Sequence, residues 1–361
     1  MNFLHLSDVH FGYERREGSD ESAVAARNNY MNCLTDTICE INRRNKFDFI
    51  LLTGDIAWAA KSTEYGEAAK WLKILLDKCG LTSKMLFLCP GNHDINRDEV
   101  EDIQYPTDQC NANRFLRIEK LDKLQRRFAQ YIEFCKNLGL EKYTIGSKSS
   151  YLVGCRDMGS FRVVCLNTAW YAKEDAVKDK MWVGAGFWEI VKEGLAKCKK
   201  PTVAIMHHPS SSWHEQERSM YLDRTNIYSE ICDFADIILS GHTHEIKDSM
   251  EQKGKALVGA SGALYEGKHY PNCFYTYNVD FASQGLQSRT RYFWNAGKWI
   301  PDQETFRLVN AYNIDFCKYP DSGQEAGAAM IGKSESLPFQ SNFFCIADQV
   351  IKFIPIYRFL E

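Results

Sequence analysis

No run of about 18 apolar residues occurs anywhere in the chain, so no membrane-spanning helix and no membrane partner are expected. The N-terminal MNFLHLSDVHF has neither a basic n-region nor a long apolar h-region; it reads as a strand rather than a signal peptide. There is no CxxC pair and no zinc-finger spacing, although the 361 residues include 13 cysteines. These are scattered, and several, such as Cys89 and Cys165, fall inside apolar strand-like runs. An odd, dispersed set argues against a disulfide framework and for reduced, buried thiols in a cytoplasmic protein. Strong charge of either sign is missing too. The net charge is −3, which leaves room for local basic patches but excludes a basic footprint over the whole chain. No internal repeat and no low-complexity segment is visible. The apolar and charged fractions, 45% and 25%, are those of an ordinary globular protein.

What the chain does contain is a series of short apolar runs, each closed by the same few polar residue types. Asn2 to Leu6 reads as a first strand and ends in Ser7-Asp8-Val9-His10. If the intervening residue is extended, Asp8 and His10 leave the backbone on the same side. After a polar loop, a helix is expected from Ala23 to about Asn45, with apolar positions at Ala26, Tyr30, Leu34, Ile38 and Ile41. Phe47 to Thr53 is a second strand ending in Gly54-Asp55, and Glu64 to Cys79 a second helix stopped by Gly80. The apolar run Lys84 to Cys89 then turns at Pro90-Gly91 into Asn92-His93-Asp94. The order β-α-β-α-β argues for parallel strands joined by right-handed crossovers. All three polar blocks then lie at the carboxyl edge of one sheet, where open α/β sheets place ligands.

Beyond Asp94 the pattern breaks. An acidic, polar segment leads into a long helix expected over Asn113 to Asn137, with Gly139 ending it. Residues 95–150 read as a helical insertion or lid over the sheet edge. The basic run Lys120 to Arg127 reads as a solvated helix face, with a phosphate-steering or nucleic-acid surface as the sharper alternative. Strands resume at Ser150 to Val153 and at Phe161 to Leu166, the latter ending in Asn167-Thr168-Ala169-Trp170. Thr202 to Met206 ends in His207-His208-Pro209, and Ile237 to Ser240 in Gly241-His242-Thr243-His244. Helices are expected near Gly186 to Lys197 and Asn226 to Phe234. Lys255 to Gly259, Phe274 to Asp280 and Gln287 to Asn295 read as antiparallel strands completing a second sheet. Residues 1–301 are therefore expected as one α/β domain. Residues 302–361 form a C-terminal extension, linker-like over 320–340 and then apolar, which either packs back as a tail or meets a partner protein.

Six of the nine histidines fall in the four blocks DVH, GNHD, MHHP and GHTH. Histidines that merely filled a core would not concentrate there. With Asp8, Asp55 and Asn92 they make a mixed nitrogen and oxygen ligand set without cysteine. Such a set suits Mn²⁺, Fe or Zn²⁺ in a non-thiolate site. It is too large for one ion and fits two sharing a carboxylate.

D-x-H, G-D, G-N-H-D, a strand-end His and G-H-x-H, in that order over Asp8 to His244, resemble the calcineurin-like metallophosphoesterase superfamily. The resemblance implies a two-sheet β-sandwich flanked by helices, a four-layer αββα fold. It also implies roles. Asp8, His10 and His244 would hold one metal, Asn92, His207 and His242 the other, and Asp55 would bridge them. His93 would stabilise the transition state or protonate the leaving oxygen, with Asp94 orienting the loop or His93 beside it. His207 is preferred to His208 as the ligand because it directly follows the apolar run. His208 is left to contact substrate or support the ligands, His214 to a supporting or surface role, and His5 and His269 to structural ones. Two metals roughly 3.5–4 Å apart would activate a water for in-line attack on phosphorus, with no covalent enzyme nucleophile.

The substrate is less legible. HLSDVHFG is similar both to cyclic-nucleotide phosphodiesterases and to the double-strand-break repair nucleases of the superfamily. LNTAW, MHHP and SGALYEGKHYPN resemble phosphoesterase domains of bacterial multidomain proteins that carry nucleotide-binding or signalling modules. The leading expectation is a phosphodiesterase acting on a nucleotide or nucleic acid. The alternatives are a small-molecule phosphomonoesterase or pyrophosphohydrolase, and a metal-bound sensor domain of a bacterial signalling or defence system.

Overall fold

Two mixed sheets stack face to face, because their strands carry apolar side chains in both directions. In the computed structural model, residues 1–308 are described except 17–20, 102–103, 176–177, 220–225, 245–248, 266–270 and 284–285. The first half runs β1 (Asn2–Leu6), α1 (Glu21–Arg44), β2 (Phe49–Thr53), α2 (Ser62–Cys79) and β3 (Leu86–Cys89). An irregular helical segment follows, with α3 (Gln109–Asn113), α4 (Leu121–Leu124) and α5 (Ala129–Asn137). Then come β4 (Tyr143–Ile145), β5 (Lys148–Ser150), β6 (Gly154–Asp157), β7 (Arg162–Cys165), α6 (Ala185–Ala196), β8 (Thr202–Ile205), α7 (Glu215–Arg218), α8 (Ile227–Phe234) and β9 (Ile237–Ser240). The chain closes with β10 (Glu251–Lys253), β11 (Ala256–Ala260), β12 (Cys273–Asn278), β13 (Leu286–Asn295) and β14 (Lys298–Arg307).

The first sheet has the order β14-β13-β12-β1-β2-β3, the second β10-β11-β9-β8-β7-β6-β4-β5. β1, β2 and β3 are parallel, as are β7, β8, β9 and β11. Alternate residues of each central strand go to different layers. Phe3, Phe49, Leu51, Phe87, Cys89, Val163, Cys165, Val203 and Ile205 belong to the core between the sheets. Leu4, Leu6, Ile50, Leu52, Leu86, Leu88, Val164 and Ala204 belong to the core shared with the helices. Double-sided burial is why these strands read as unbroken apolar runs. Phe49 stacks on Phe3 within its sheet at 4.7 Å and on Phe161 at 4.9 Å. This is the four-layer α/β sandwich expected. None of the described cysteines is in a disulfide, and Cys89 and Cys165 lie in the inter-sheet core.

Four expectations change. The strands near 255–295 do not complete one sheet. β11 joins the second sheet beside β9, whereas β12 pairs antiparallel with β1 and leads β13 and β14 onto the first. Secondly, the strand read at Ser150 to Val153 is instead two, β5 ending at Ser150 and β6 beginning at Gly154. The break falls where Gly154 has φ 132° and lies too close to the Thr144 carbonyl for a Cβ. Thirdly, the helix over Asn113 to Asn137 is broken. Arg117 is extended (φ −146°, ψ 157°) and Phe128 leaves helical geometry (φ −116°, ψ 27°). These breaks turn Leu116, Leu121, Leu124, Phe128, Tyr131 and Phe134 into the main core. The 95–150 segment is thus part of the helical layer, with Tyr65 of α2 against Phe134 of α5 at 5.0 Å, rather than a lid above it. Lastly, β14 runs past residue 301, pairing with β13 from Lys298 to Arg307. It does so through Pro301, which an edge strand tolerates because the missing N–H can face away from its one neighbour. Residues 309–361, with most of the C-terminal extension, lie outside the described residues, as does His269.

Candidate metal centre

The polar residues that follow β1, β2, β3, β8 and β9 meet at one end of the sandwich. They do so through backbone rather than by simple continuation of the strands. β1 ends at Leu6, and Asp8 and His10 both lie in the left-handed region (φ 54° and 50°). Asp55, His242 and His244 do the same (φ 51°, 73° and 55°). Side chains with a Cβ seldom adopt this conformation, and it persists only where the surroundings impose it. Here the surroundings are loop-to-loop hydrogen bonds. Asp8 N–H donates to Gly54 O (3.1 Å), His10 N–H to Asp55 O (3.0 Å) and Gly241 N–H to His207 O (2.9 Å). The expectation of an extended D-x-H is thus replaced by a turn stitched to its neighbour.

Three glycines of the blocks are required by close approach, the first being Gly54 (φ 90°), where a Cβ would strike the His207 ring. A Cβ on Gly91 would strike the Asp55 carboxylate, and one on Gly241 would strike the Ser7 hydroxyl and the Asp8 carboxylate.

Asp55 sits at the centre. Its Oδ1 accepts from the His93 N–H at 2.8 Å, and its Oδ2 lies 3.1 Å from His207 Nε2 and 3.4 Å from His10 Nε2. Asp8 Oδ1 is 3.1 Å from His244 Nε2, and Oδ2 accepts from the Ser7 hydroxyl and from His242 N–H at 3.1 Å. Asn92 Oδ1 faces His207 Nε2 at 3.0 Å and His242 Nδ1 at 3.1 Å. Asp8, His10 and His244 bring one ligand atom each within 4.8 Å of one another, and so do Asp8, Asp55 and His207. His207, His208 and His242 form a third such group, and His10, Asp55 and His93 a fourth. The expected ligands therefore converge; the two carboxylates, His10 and His207 are buried, and His242 and His244 are half-buried.

The charge balance shows what the cluster lacks internally. Burial alone would raise both carboxylates. His207 and His244 hold Asp8 down at about 2, and His207 and His93 hold Asp55 well below the usual range. Burial would lower His207, but Asp55 and Asp8 outweigh it and push it up to about 9. Its Nδ1–H donates to Thr53 O at 2.7 Å, which directs Nε2 into the centre. A proton on that nitrogen supplies the positive charge that two buried carboxylates demand. Divalent cations on an all-nitrogen-and-oxygen donor set answer the same demand. The residues fit the metals that the motifs imply.

His93 is held differently. Its ring stacks on Trp58 with centroids 4.5 Å apart, and Nδ1–H donates to Trp58 O at 2.6 Å. Nε2 is left facing Asp175 Oδ1 at 3.3 Å, and Asp175 is paired with Arg97. Asp94 turns away from the ligands. It accepts from Gly91 N–H (2.9 Å), from Ile56 and Ala57 N–H (3.2 Å each) and from the Tyr65 hydroxyl (2.9 Å). It staples the β2 and β3 loops together, and burial raises its pKa to about 6. His208 is fully buried, its Nδ1 2.8 Å from the Thr168 hydroxyl and its Nε2 without a hydrogen-bond partner. His208 lies beside the ligands, its ring 4.4 Å from that of His242. His214 caps α7 and stacks on Trp182 at 4.3 Å, and His5 is buried against Thr53.

Sequence reasoning missed Trp58, Arg97 and Asp175. The first two follow the G-D and G-N-H-D blocks within a few residues and could have been found there. Asp175 lies in a loop with no local pattern.

Fold and donor set together define a class: an α/β sandwich that gathers carboxylates and imidazoles at its strand ends to hold divalent cations. Residues 1–245 match the model of the calcineurin-like phosphoesterases, and the chain belongs to that family. It is 26% identical over 312 residues to the uncharacterized metallophosphoesterase-like protein YydB of Bacillus subtilis, covering 82% of this chain. The chain spans 60% of the length of that relative. Among solved structures, it is similar to the Thermus thermophilus sulfate thiohydrolase SoxB (13% identity, TM-score 0.39, covering 85% of this chain and 56% of that one). It is also similar to the zinc complex of Entamoeba histolytica Vps29 (12%, 0.34, 85% and 100%). A third is the Haemophilus influenzae NAD nucleotidase NadN (9%, 0.37, 85% and 50%). No helix among the described residues is long and apolar enough to cross a membrane.

Proposed function

We propose that the chain is a two-metal phosphoester hydrolase acting on phosphodiesters of a nucleotide or nucleic acid. The observation that carries the reading is the convergence of Asp8, His10, Asp55, Asn92, His207, His242 and His244 around one carboxylate, with His93 Nε2 turned out at its edge. Asp8, His10 and His244 would hold one divalent ion, Asn92, His207 and His242 the other, and Asp55 both, with Mn²⁺ the expected metal. The pair supplies Lewis acidity, a more acidic water and a clamp on the phosphoryl oxygens.

The chain's own residues do the rest. Thr53 O fixes the tautomer of His207, and Trp58 O fixes that of His93. With Nδ1 committed, His93 has only Nε2 to exchange a proton with the departing oxygen, a positioned acid worth about 10²–10⁴ in rate. The Asp94 staple keeps the Asn92-His93 loop against Asp55. The diester preference is supported by the charge beside His93. Arg97 is paired with Asp175, so it is not free to hold the second charge that a monoester carries and a diester lacks.

Hydrolysis of bis-p-nitrophenyl phosphate beside p-nitrophenyl phosphate, with and without Mn²⁺, tests the reading. Mn²⁺-dependent turnover favouring the diester is expected. Preference for the monoester would overturn the diester assignment. No turnover of either by protein shown to hold metal would overturn the hydrolase itself.

A further inference from the structure

A cavity of about 410 Å³ opens in the insertion, away from the ligand cluster but built on the same segments. Arg127 ties the two together. Its carbonyl accepts from Asn96 N–H at 2.8 Å, just beyond the G-N-H-D block, and its guanidinium donates to Trp170 O. The loop that starts at Tyr171 on the cavity wall continues to Asp175 at His93. The size lies within the range of small-ligand pockets, roughly 300–1,000 Å³.

The lining is of two kinds. Tyr105, Phe115 and Tyr171 present aromatic surface, and Lys120, Lys123 and Arg127 present positive charge, with no acidic residue among the described residues of the walls. Phe115 is 47% exposed, unusual for a large apolar side chain in this molecule. Tyr105 is fixed by a hydrogen bond from Lys173 N–H to its hydroxyl (3.2 Å). Arg127 is only 8% exposed, and its one hydrogen-bond partner among the described residues is a neutral carbonyl. A guanidinium buried without a carboxylate is costly unless an anion joins it. Among the described residues Lys120 and Lys123 also have no ion-pair partner, whereas Lys148 nearby in the chain is paired with Asp122. Lys120, Lys123 and Arg126 are exposed, as a solvated face would be, but Lys120 and Lys123 also border the cavity and the buried Arg127 forms part of its wall.

Lys180 lies over the Tyr105 ring (4.9 Å) and Arg127 over that of Tyr171 (5.4 Å), which leaves the exposed Phe115 ring for a planar base to stack on. Beside cations with no carboxylate partner among the described residues, that ring matches a ligand with an aromatic ring at one end and a phosphate at the other. We propose that this cavity binds a nucleoside monophosphate unit, either as a free nucleotide or as one residue of a nucleic-acid strand. The assignment does not depend on the reaction proposed above, since the cavity walls contain no metal ligand.

Calorimetric titration of the full chain with AMP, adenosine and inorganic phosphate tests it, in the wild type, in Asp55→Asn, in the double variant Lys120→Glu/Lys123→Glu and in Phe115→Ala. The substituted cavity residues are exposed, and a thermal melt of each variant checks its fold. AMP is expected to bind once per chain, to persist in Asp55→Asn, and to weaken about tenfold or more in the double variant and in Phe115→Ala. Adenosine and phosphate should each bind far more weakly than AMP. A short single-stranded oligonucleotide that binds more tightly than AMP, and loses that advantage in Asp55→Asn, identifies the strand as the source; AMP at least as tight as the oligonucleotide identifies the free nucleotide. Absence of AMP binding at millimolar concentration would overturn the proposal. So would AMP binding lost in Asp55→Asn but unchanged in the two cavity variants, or phosphate binding as tight as AMP. Wild-type protein that binds AMP but hydrolyses neither p-nitrophenyl ester would count against the reaction alone.

Discussion

His93 and Gly91 sit two residues apart and do different work. His93 faces the exposed Asp175 carboxylate through Nε2, and its ring orientation is set by Trp58. Replacing it with alanine should cost about a hundredfold in turnover while leaving bound metal unchanged, read by kinetics beside elemental analysis. Gly91 matters by what it lacks. Alanine there would drive a methyl into the Asp55 carboxylate, so Gly91→Ala should lower both metal content and melting temperature, at a cost of about 1–3 kcal/mol in stability. A Gly91→Ala protein with full metal and unchanged melting would show that Asp55 is not held where the loop places it. The blocks named these residues, but not their conformations. Nothing in D-V-H or G-H-T-H indicates that Asp8, His10, His242 and His244 are left-handed. That conformation is imposed by hydrogen bonds between loops far apart in sequence, which a local pattern does not carry.

At the level of elements, the parallel strands were legible because burial on both faces leaves continuous apolar runs ending in abrupt polar blocks. β1, β2, β8 and β9 fall within a residue or two of the expected spans. Sheet membership was not legible. β11, β12 and β13 have similar patterns, yet β11 continues the second sheet and β12 the first. Which open edge a returning strand takes depends on the three-dimensional course of the chain, not on its own residues. The insertion was misread for a related reason. Its apolar spacing suits a continuous helix, but Leu116 is pulled against Gly184 and Gly186, and the backbone breaks at Arg117 to allow it. Leu116→Ala should therefore destabilise the whole domain by about 2–5 kcal/mol in denaturant unfolding, as a core residue would. A lid that folds by itself would instead leave the main transition unchanged.

For the molecule as a whole, His5 gives a pH signature of its own, with the nearby Asp8 opposing the shift. It is fully buried between the sheets, and burial, with Arg289 nearby, lowers its pKa to about 3. The unfolded chain therefore takes up this proton before the folded one does, so stability falls as pH drops from about 6.5 towards 3. At pH 5 the loss from this group is about 2 kcal/mol relative to pH 8. Denaturant unfolding at the two pH values should show a smaller fall in His5→Gln than in the wild type. An equal fall would mean that His5 is not buried neutral.

The central claim is that seven residues from five strand ends form one site for two divalent ions. Metal content per chain, measured by mass spectrometry after equilibration with Mn²⁺ and gel filtration, tests it directly in the wild type and in Asp55→Asn. The account predicts two ions in the wild type and a fall to one or fewer when the shared carboxylate is removed, in protein that still melts cooperatively. Wild-type protein that retains no metal, or a variant that keeps both ions, would contradict it.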